Sequence, residues 1–255
     1  MRYVLEGSVQ KRKRVTAYAN RCLRSIPTAP LPWPFWPPSS LMRSCSAPAP
    51  TRKPTSSGGE ELNAQALALD PNAAGAHVTR GILLHLQGRI DESIAECQRA
   101  LALDPSRVEA VKILGWGYAE LGQFQKALDY YEKAIRLSPH DPALPDFHEG
   151  ISYTSLALKQ YDQAIESAQQ SIAIRPNDNP HAHKDLIAAL ALSGREAEAH
   201  EALRGFLALP NPGFRTIAAW IAYKARISDP RTDPRRLDYW DRVIEGLRKA
   251  GMPEE

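Results

Sequence analysis

Chemistry-bearing side chains are scarce in this chain of 255 residues. Its three cysteines, Cys22, Cys45 and Cys97, are too few and too far apart for a disulfide framework or a CxxC metal pair, so a reducing compartment fits best. No apolar run approaches the roughly 18 residues that a membrane helix needs. The basic run Lys11–Arg14 leads into no apolar stretch of the kind a secretory signal requires. Phosphate-cradling GxxxxGK[ST], zinc-binding HExxH and the GxSxG nucleophile turn are all missing. The expectation is a non-enzyme with no catalytic residues, no metal and no cofactor, located in the cytoplasm. His181 and His183 lack further ligands in sequence and read as surface polar residues. Cys97 reads as a packed small hydrophobe.

Acid is missing from one part of the chain only. Residues 1–59 hold ten Lys and Arg against the single Glu6, a net of +9, which leaves −6 for residues 60–255 out of a total of +3. The isolated cluster Lys11–Arg14 does not amount to a nucleic-acid surface. Nine of the 21 prolines lie between Pro27 and Pro54. Such a Pro/Ser/Arg-rich segment cannot bury enough apolar surface to offset its chain entropy, so residues 18–59 are expected to be disordered. Within it, LPWPFWPPSS at 31–40 sets three aromatics among four prolines. It reads as linker or unselected sequence, with a polyproline ligand as the alternative.

What the chain has is a repeat. ALALDP occurs at 66–71 and again at 100–105, with AIRLSP at 134–139 and SIAIRP at 171–176. Pro71, Pro105 and Pro139 are each 34 residues apart, and Pro176 follows after 37. Between these marks the best copy is VEAVKILGWGYAELGQFQKALDYYEKAIRLSPHD, residues 108–141. It resembles the tetratricopeptide repeat, a 34-residue helix–turn–helix unit. Leu114 and Gly115 match its first helix, with Tyr118 one turn later and Gly122 at the turn. Phe124 opens the second helix, Ala127 and Ala134 are its small positions, and Pro139 closes the unit. Neighbouring copies keep Gly81, Pro105, Ala164 and Pro176 at equivalent places.

The resemblance implies an all-α fold, a right-handed α-solenoid of stacked repeats behind a disordered Pro-rich segment. The expected organisation is a remnant at 1–17, the disordered segment at 18–59 and a lone helix of a truncated repeat at 60–73. Repeats follow at 74–107, 108–141, 145–178 and, degenerate, 180–213. Capping helices fill 214–255, the last carrying a stripe of Leu237, Trp240, Val243, Ile244 and Leu247 that packs on the last repeat. In such arrays the first helices line a concave groove for a protein or peptide ligand. By repeat phase the groove positions are Val78, Ile82, His85, Lys112, Trp116, Ala119, Glu149, Tyr153 and Lys184. Trp116 and Tyr153 occupy equivalent positions in successive repeats and are expected side by side on the groove wall.

Two further stretches carry a second resemblance. MRYVLEGSVQKRKRVTA at 1–17 is similar to a segment of bacterial class III adenylate/guanylate cyclases, part of a TolB-amino-terminal-like α/β domain that precedes their repeats. GREAEAHEALRGFLALPNPGFRTIAA and IEGLRKAGMPEE resemble the tail of the same proteins. The match stops after Ala17, which is the pattern of a frameshifted or decayed gene. The cyclase catalytic domain is expected upstream and not in this chain. The leading reading is therefore a non-catalytic protein–protein interaction module with a peptide or protein partner. A cyclase fragment or a frameshifted product is the alternative.

Overall fold

Each repeat is terminated by chain chemistry at both turns. After a first helix, one residue must take the left-handed conformation that ends a helix cheaply only in glycine. After a second helix, proline cannot continue the hydrogen-bond ladder. The computed structural model describes residues 57–177, 179–210, 213–228 and 232–255. Among them are eleven helices and no strand. They run α1 Ser57–Leu69, α2 Ala74–Leu86, α3 Ile90–Leu103, α4 Val108–Glu120, α5 Phe124–Leu137 and α6 Leu144–Ala157. They continue as α7 Tyr161–Ile174, α8 Pro180–Leu192, α9 Glu196–Leu207, α10 Ile217–Ile227 and α11 Pro234–Lys249. This is the all-α helix–turn–helix solenoid class. The remnant at 1–17, LPWPFWPPSS and nearly all of 18–59 lie outside the described residues. The lone helix expected from Glu60 begins at Ser57.

The chain divides into two units, with the division falling inside α4; the described part of the first is residues 57–117. In this unit α2 and α3 form an antiparallel pair, and α1 lies against α2 through Ala66 and Ala76. The pair closes tightly at Gly81, where an added Cβ would stand 2.5 Å from Cys97 Sγ. Ser93, at a position where the repeat prefers alanine, donates its hydroxyl to the Gly81 carbonyl at 2.7 Å. His77 stands where tetratricopeptide repeats often carry tryptophan. Its ring nitrogens lie 2.6 Å from Glu96 Oε2 and 2.8 Å from the Pro71 carbonyl, tying α2 to α3 and to the turn before it. Asp70 and Asp104 each accept a backbone N–H two residues on, from Asn72 and Ser106, which shapes the Asp-Pro turns.

The second unit spans the described residues from Tyr118 to the end. Here α5 packs on α6, α6 on α7, α7 on α8 and α8 on α9. Gly150 on α6 accepts the ring of Tyr131, whose Cζ would lie 2.6 Å from an added Cβ. Serines at small positions again bond to backbone, Ser152 to the Ala164 carbonyl at 3.0 Å and Ser171 to the Pro145 carbonyl at 2.7 Å. A hydroxyl satisfied in this way is tolerated in a packed helix pair.

The turns after α2, α4 and α8 hold Gly88, Gly122 and Gly194 at positive φ. The turn after α6 holds Lys159 at φ 64°, a non-glycine residue in the same left-handed geometry. That conformation costs an L side chain about 1 kcal/mol. Lys159→Gly is therefore expected to raise stability by roughly 0.5–1 kcal/mol, read as a higher urea midpoint at unchanged slope. A lower midpoint would show that the Lys159 side chain contributes more than its backbone strain removes.

Candidate functional site

The groove candidates are distributed over both units. In the first, Val78, Ile82 and His85 lie on α2 and are buried, while Lys112 on α4 is half-buried. Trp116, also on α4, is buried and stacks on His85 with ring centroids 4.5 Å apart. In the second unit Ala119, Glu149, Tyr153 and Lys184 are all buried. Tyr153 packs edge-on against Tyr239 at 4.3 Å and Phe124 at 5.6 Å.

In the second unit the first-helix face is covered by the end of the chain itself. Pro234 at the first turn and the Asp233 side chain, which accepts the Arg235 N–H at 2.9 Å, start α11. This helix lies against α8 and α6, so it spans two first helices. Trp240, Val243, Ile244 and Leu247 are buried, as the apolar stripe requires, and Leu237 is half-buried. Gly246 makes the closest approach, since a Cβ there would stand 2.8 Å from the Ala188 Cα and carbonyl oxygen.

A polar cluster sits under α11. Tyr239 donates its hydroxyl to Asp185 Oδ1 at 2.6 Å. The Lys184 ammonium donates to both Tyr239 Oη and Asp185 Oδ1. The same ammonium lies 5.0 Å from the Tyr239 and Trp240 ring centroids and 5.8 Å from that of Trp220. Lys184 is 2% exposed, so these partners replace its water. Nearby, Glu149 is 6% exposed and its Oε1 has no hydrogen-bond partner. Burial first, then the Asp146 and Asp185 charges, push its carboxyl up to about 8.

His181 corrects the expectation of a surface residue. It is buried among Phe214, Trp220 and Tyr223, with ring centroids 5.5–6.3 Å away. His183 is half-buried, 3.2 Å from the Pro176 carbonyl. Among the described residues, no group of three or more His, Cys, Asp and Glu is arranged to hold a metal ion. No described helix is long and apolar enough to cross a membrane.

Two tetratricopeptide-repeat family models match the chain, over residues 72–140 and 114–179. Residues 72–179 carry tetratricopeptide repeats. The Protein CTR9 homolog of Arabidopsis thaliana is 39% identical over 54 residues, 21% of this chain, and the match spans only 5% of that protein's length. Among solved structures, YrrB, a TPR protein with an unusual peptide-binding site, aligns at TM-score 0.53 and 21% identity. The alignment covers 73% of this chain and 92% of YrrB. MamA aligns at TM-score 0.53 and 23% identity over 58% of this chain and 84% of its own. At these identities the likeness is one of fold.

Repeat phase identifies the face of a tetratricopeptide first helix but says nothing of what covers it. Asp185, Trp220, Tyr239 and the arginines of α11 were therefore missed. The available signal was the crowding of Phe214, Trp220, Tyr223, Tyr239 and Trp240 into 27 residues.

Glu149 is expected to make the fold sensitive to alkali. Its folded pKa, about 8, exceeds the ordinary 4.5, so the folded state holds a proton that the unfolded state releases. Its contribution to stability is complete below about pH 4.5 and is lost as pH rises to about 8. Between pH 7 and 9 the loss should be about 1 kcal/mol, seen as a lower thermal midpoint. Glu149→Gln should flatten that slope, and an equal slope in the variant would show that another group titrates.

Proposed function

We propose that this chain is a non-catalytic protein–protein interaction module whose first-helix surface takes a peptide or helix. The observation that carries the reading is α11, an amphipathic helix seated on the first helices α6 and α8. A face that buries a helix through aromatic rings, charge-assisted hydrogen bonds and backbone carbonyls has the chemistry of helix recognition. In the first unit, His85 and Trp116 stack on each other and are nearly buried, so a ligand there would meet only the edge of this aromatic pair. Val78 and Ile82 lie on α2 of the same unit, and Ala119, Tyr153 and Lys184 lie on first helices of the second unit. The peptide-binding site named for YrrB gives the reading support by analogy of fold.

The test is affinity capture by the full chain, with the recovered partner identified and rebound as a purified protein. Trp116→Ala and Tyr153→Ala are expected to lower its recovery at least fivefold at unchanged helical content. Unchanged recovery with both variants would overturn the reading.

The resemblance of residues 1–17 and of the carboxyl tail to class III cyclases extends this proposal to a cytoplasmic bacterial setting. The tail motif GREAEAHEALRGFLALPNPGFRTIAA runs from the start of α9 into α10, and IEGLRKAGMPEE completes α11. On this reading the chain acts as a regulatory or scaffolding part and performs no cyclisation. The purified chain with ATP and a divalent metal should form no cyclic nucleotide above background. Appreciable product would place it among the enzymes.

A further inference from the structure

Three arginines of α11 reach backbone carbonyls of the face below. Arg242 donates to the Leu156 carbonyl at 3.1 Å and to the Ala157 carbonyl at 2.9 Å, in the last turn of α6. Arg235 donates to the Leu121 carbonyl at 3.1 Å, and Arg236 makes a long contact of 3.5 Å to the Glu120 carbonyl, at the end of α4. The last carbonyls of a helix have no partner within it and carry the negative end of its dipole, so a guanidinium satisfies both needs. Arg236 and Arg242 are six residues apart, about 9 Å along a helix. That matches the roughly 8–10 Å between packed neighbouring helices. One arginine thus reads the end of each successive first helix. Tyr239, midway between them, enters the Lys184–Asp185 cluster.

The fit is ordered but leaves polar atoms unsatisfied. Glu149 Oε1 and Arg242 Nε are buried without hydrogen-bond partners. Each such atom costs on the order of 1–3 kcal/mol relative to a satisfied one. α11 therefore holds this face with part of the buried polar surface unsatisfied, which weakens its hold. Charge agrees: α11 carries five Arg and Lys against three Asp and Glu, and it lies over helix carboxyl ends and Asp185.

We infer that α11 is a resident, replaceable ligand, and that the external partner of this face is a basic amphipathic helix carrying Arg-x-x-Tyr-x-x-Arg. The pattern is that of Arg236, Tyr239 and Arg242. The inference rests on the helix-binding reading proposed above and adds the occupant, its register and its regulation. The first-helix face of residues 118–192 is closed while α11 is docked and opens to a competing helix of the same pattern.

The probe is a fluorescein-labelled synthetic peptide of residues 233–250, titrated by anisotropy against the full chain. Gly246→Leu forces α11 away from Ala188 while raising its helix propensity and leaving the face untouched. The variant should bind the peptide at least tenfold more tightly than the unsubstituted chain. A peptide with both Arg236→Ala and Arg242→Ala should lose at least tenfold. Tyr239→Phe in the chain, which keeps the ring and removes only the hydroxyl, is the second variant, and a gain of about threefold is expected. The inference is overturned if neither variant gains affinity at unchanged helical content, or if the arginine-free peptide binds equally. A variant that dimerises and takes up no peptide overturns it in favour of a second copy as occupant. The two levels separate cleanly. Partner binding that depends on Trp116 with no response to the α11 peptide leaves the general reading standing and removes this one.

Discussion

Everything in this chain depends on helices approaching closely enough for backbone to meet side chain. At Gly81 the space for a Cβ is taken by Cys97 Sγ, and at Gly150 by the ring of Tyr131. At Gly246 it is taken by the Ala188 backbone. The first two contacts join helices within a repeat or to its neighbour. The third joins α11 to α8, so the rule that stacks the repeats also seats the chain's last helix on them. Interiors packed at this density have no room for a larger group without displacement of a helix. Cys97 shows one consequence, since burial pushes its thiol up to about 12 and removes it from thiolate chemistry near neutral pH.

The fold was legible because its determinants are local and recur. Gly122 at a turn, Ala127 and Ala134 at crossings and Pro139 at an ending each act within a few residues, and the 34-residue period multiplies the signal. Even its exceptions fall at readable places. Lys159 adopts the backbone conformation that glycine takes at the other turns. Ser93, Ser152 and Ser171 replace alanine by turning their hydroxyls onto carbonyls across the helix pair.

The site was legible only to the level of a face. Phase put Glu149, Tyr153 and Lys184 on first helices, but Tyr153 and Lys184 both meet Tyr239, 86 and 55 positions further along the chain. No period links α11 to α6. His181 was misread for the same reason, because polarity argues for solvent whereas three aromatic rings of the segment 214–223 enclose it. A buried cation also costs more in desolvation than its pairing reliably returns. The Lys184–Asp185–Tyr239 cluster is therefore better understood as fixing the register of α11 than as holding the unit together.

Sequence distance also bears on the order in which these parts form. Contacts of α6 with α7 and of α7 with α8 close short loops, whereas α11 must return across some 85 residues to reach the Leu156 and Ala157 carbonyls. Loop closure over that distance costs more and is recovered only once the repeats present their carbonyl ends. The stacked repeats therefore come first and α11 docks onto a face already built. An element that docks last lies among the first to open. Its retention depends on the buried stripe Trp240, Val243, Ile244 and Leu247, three arginines, one tyrosine hydroxyl and the clearance at Gly246. Each is a feature that another helix can carry.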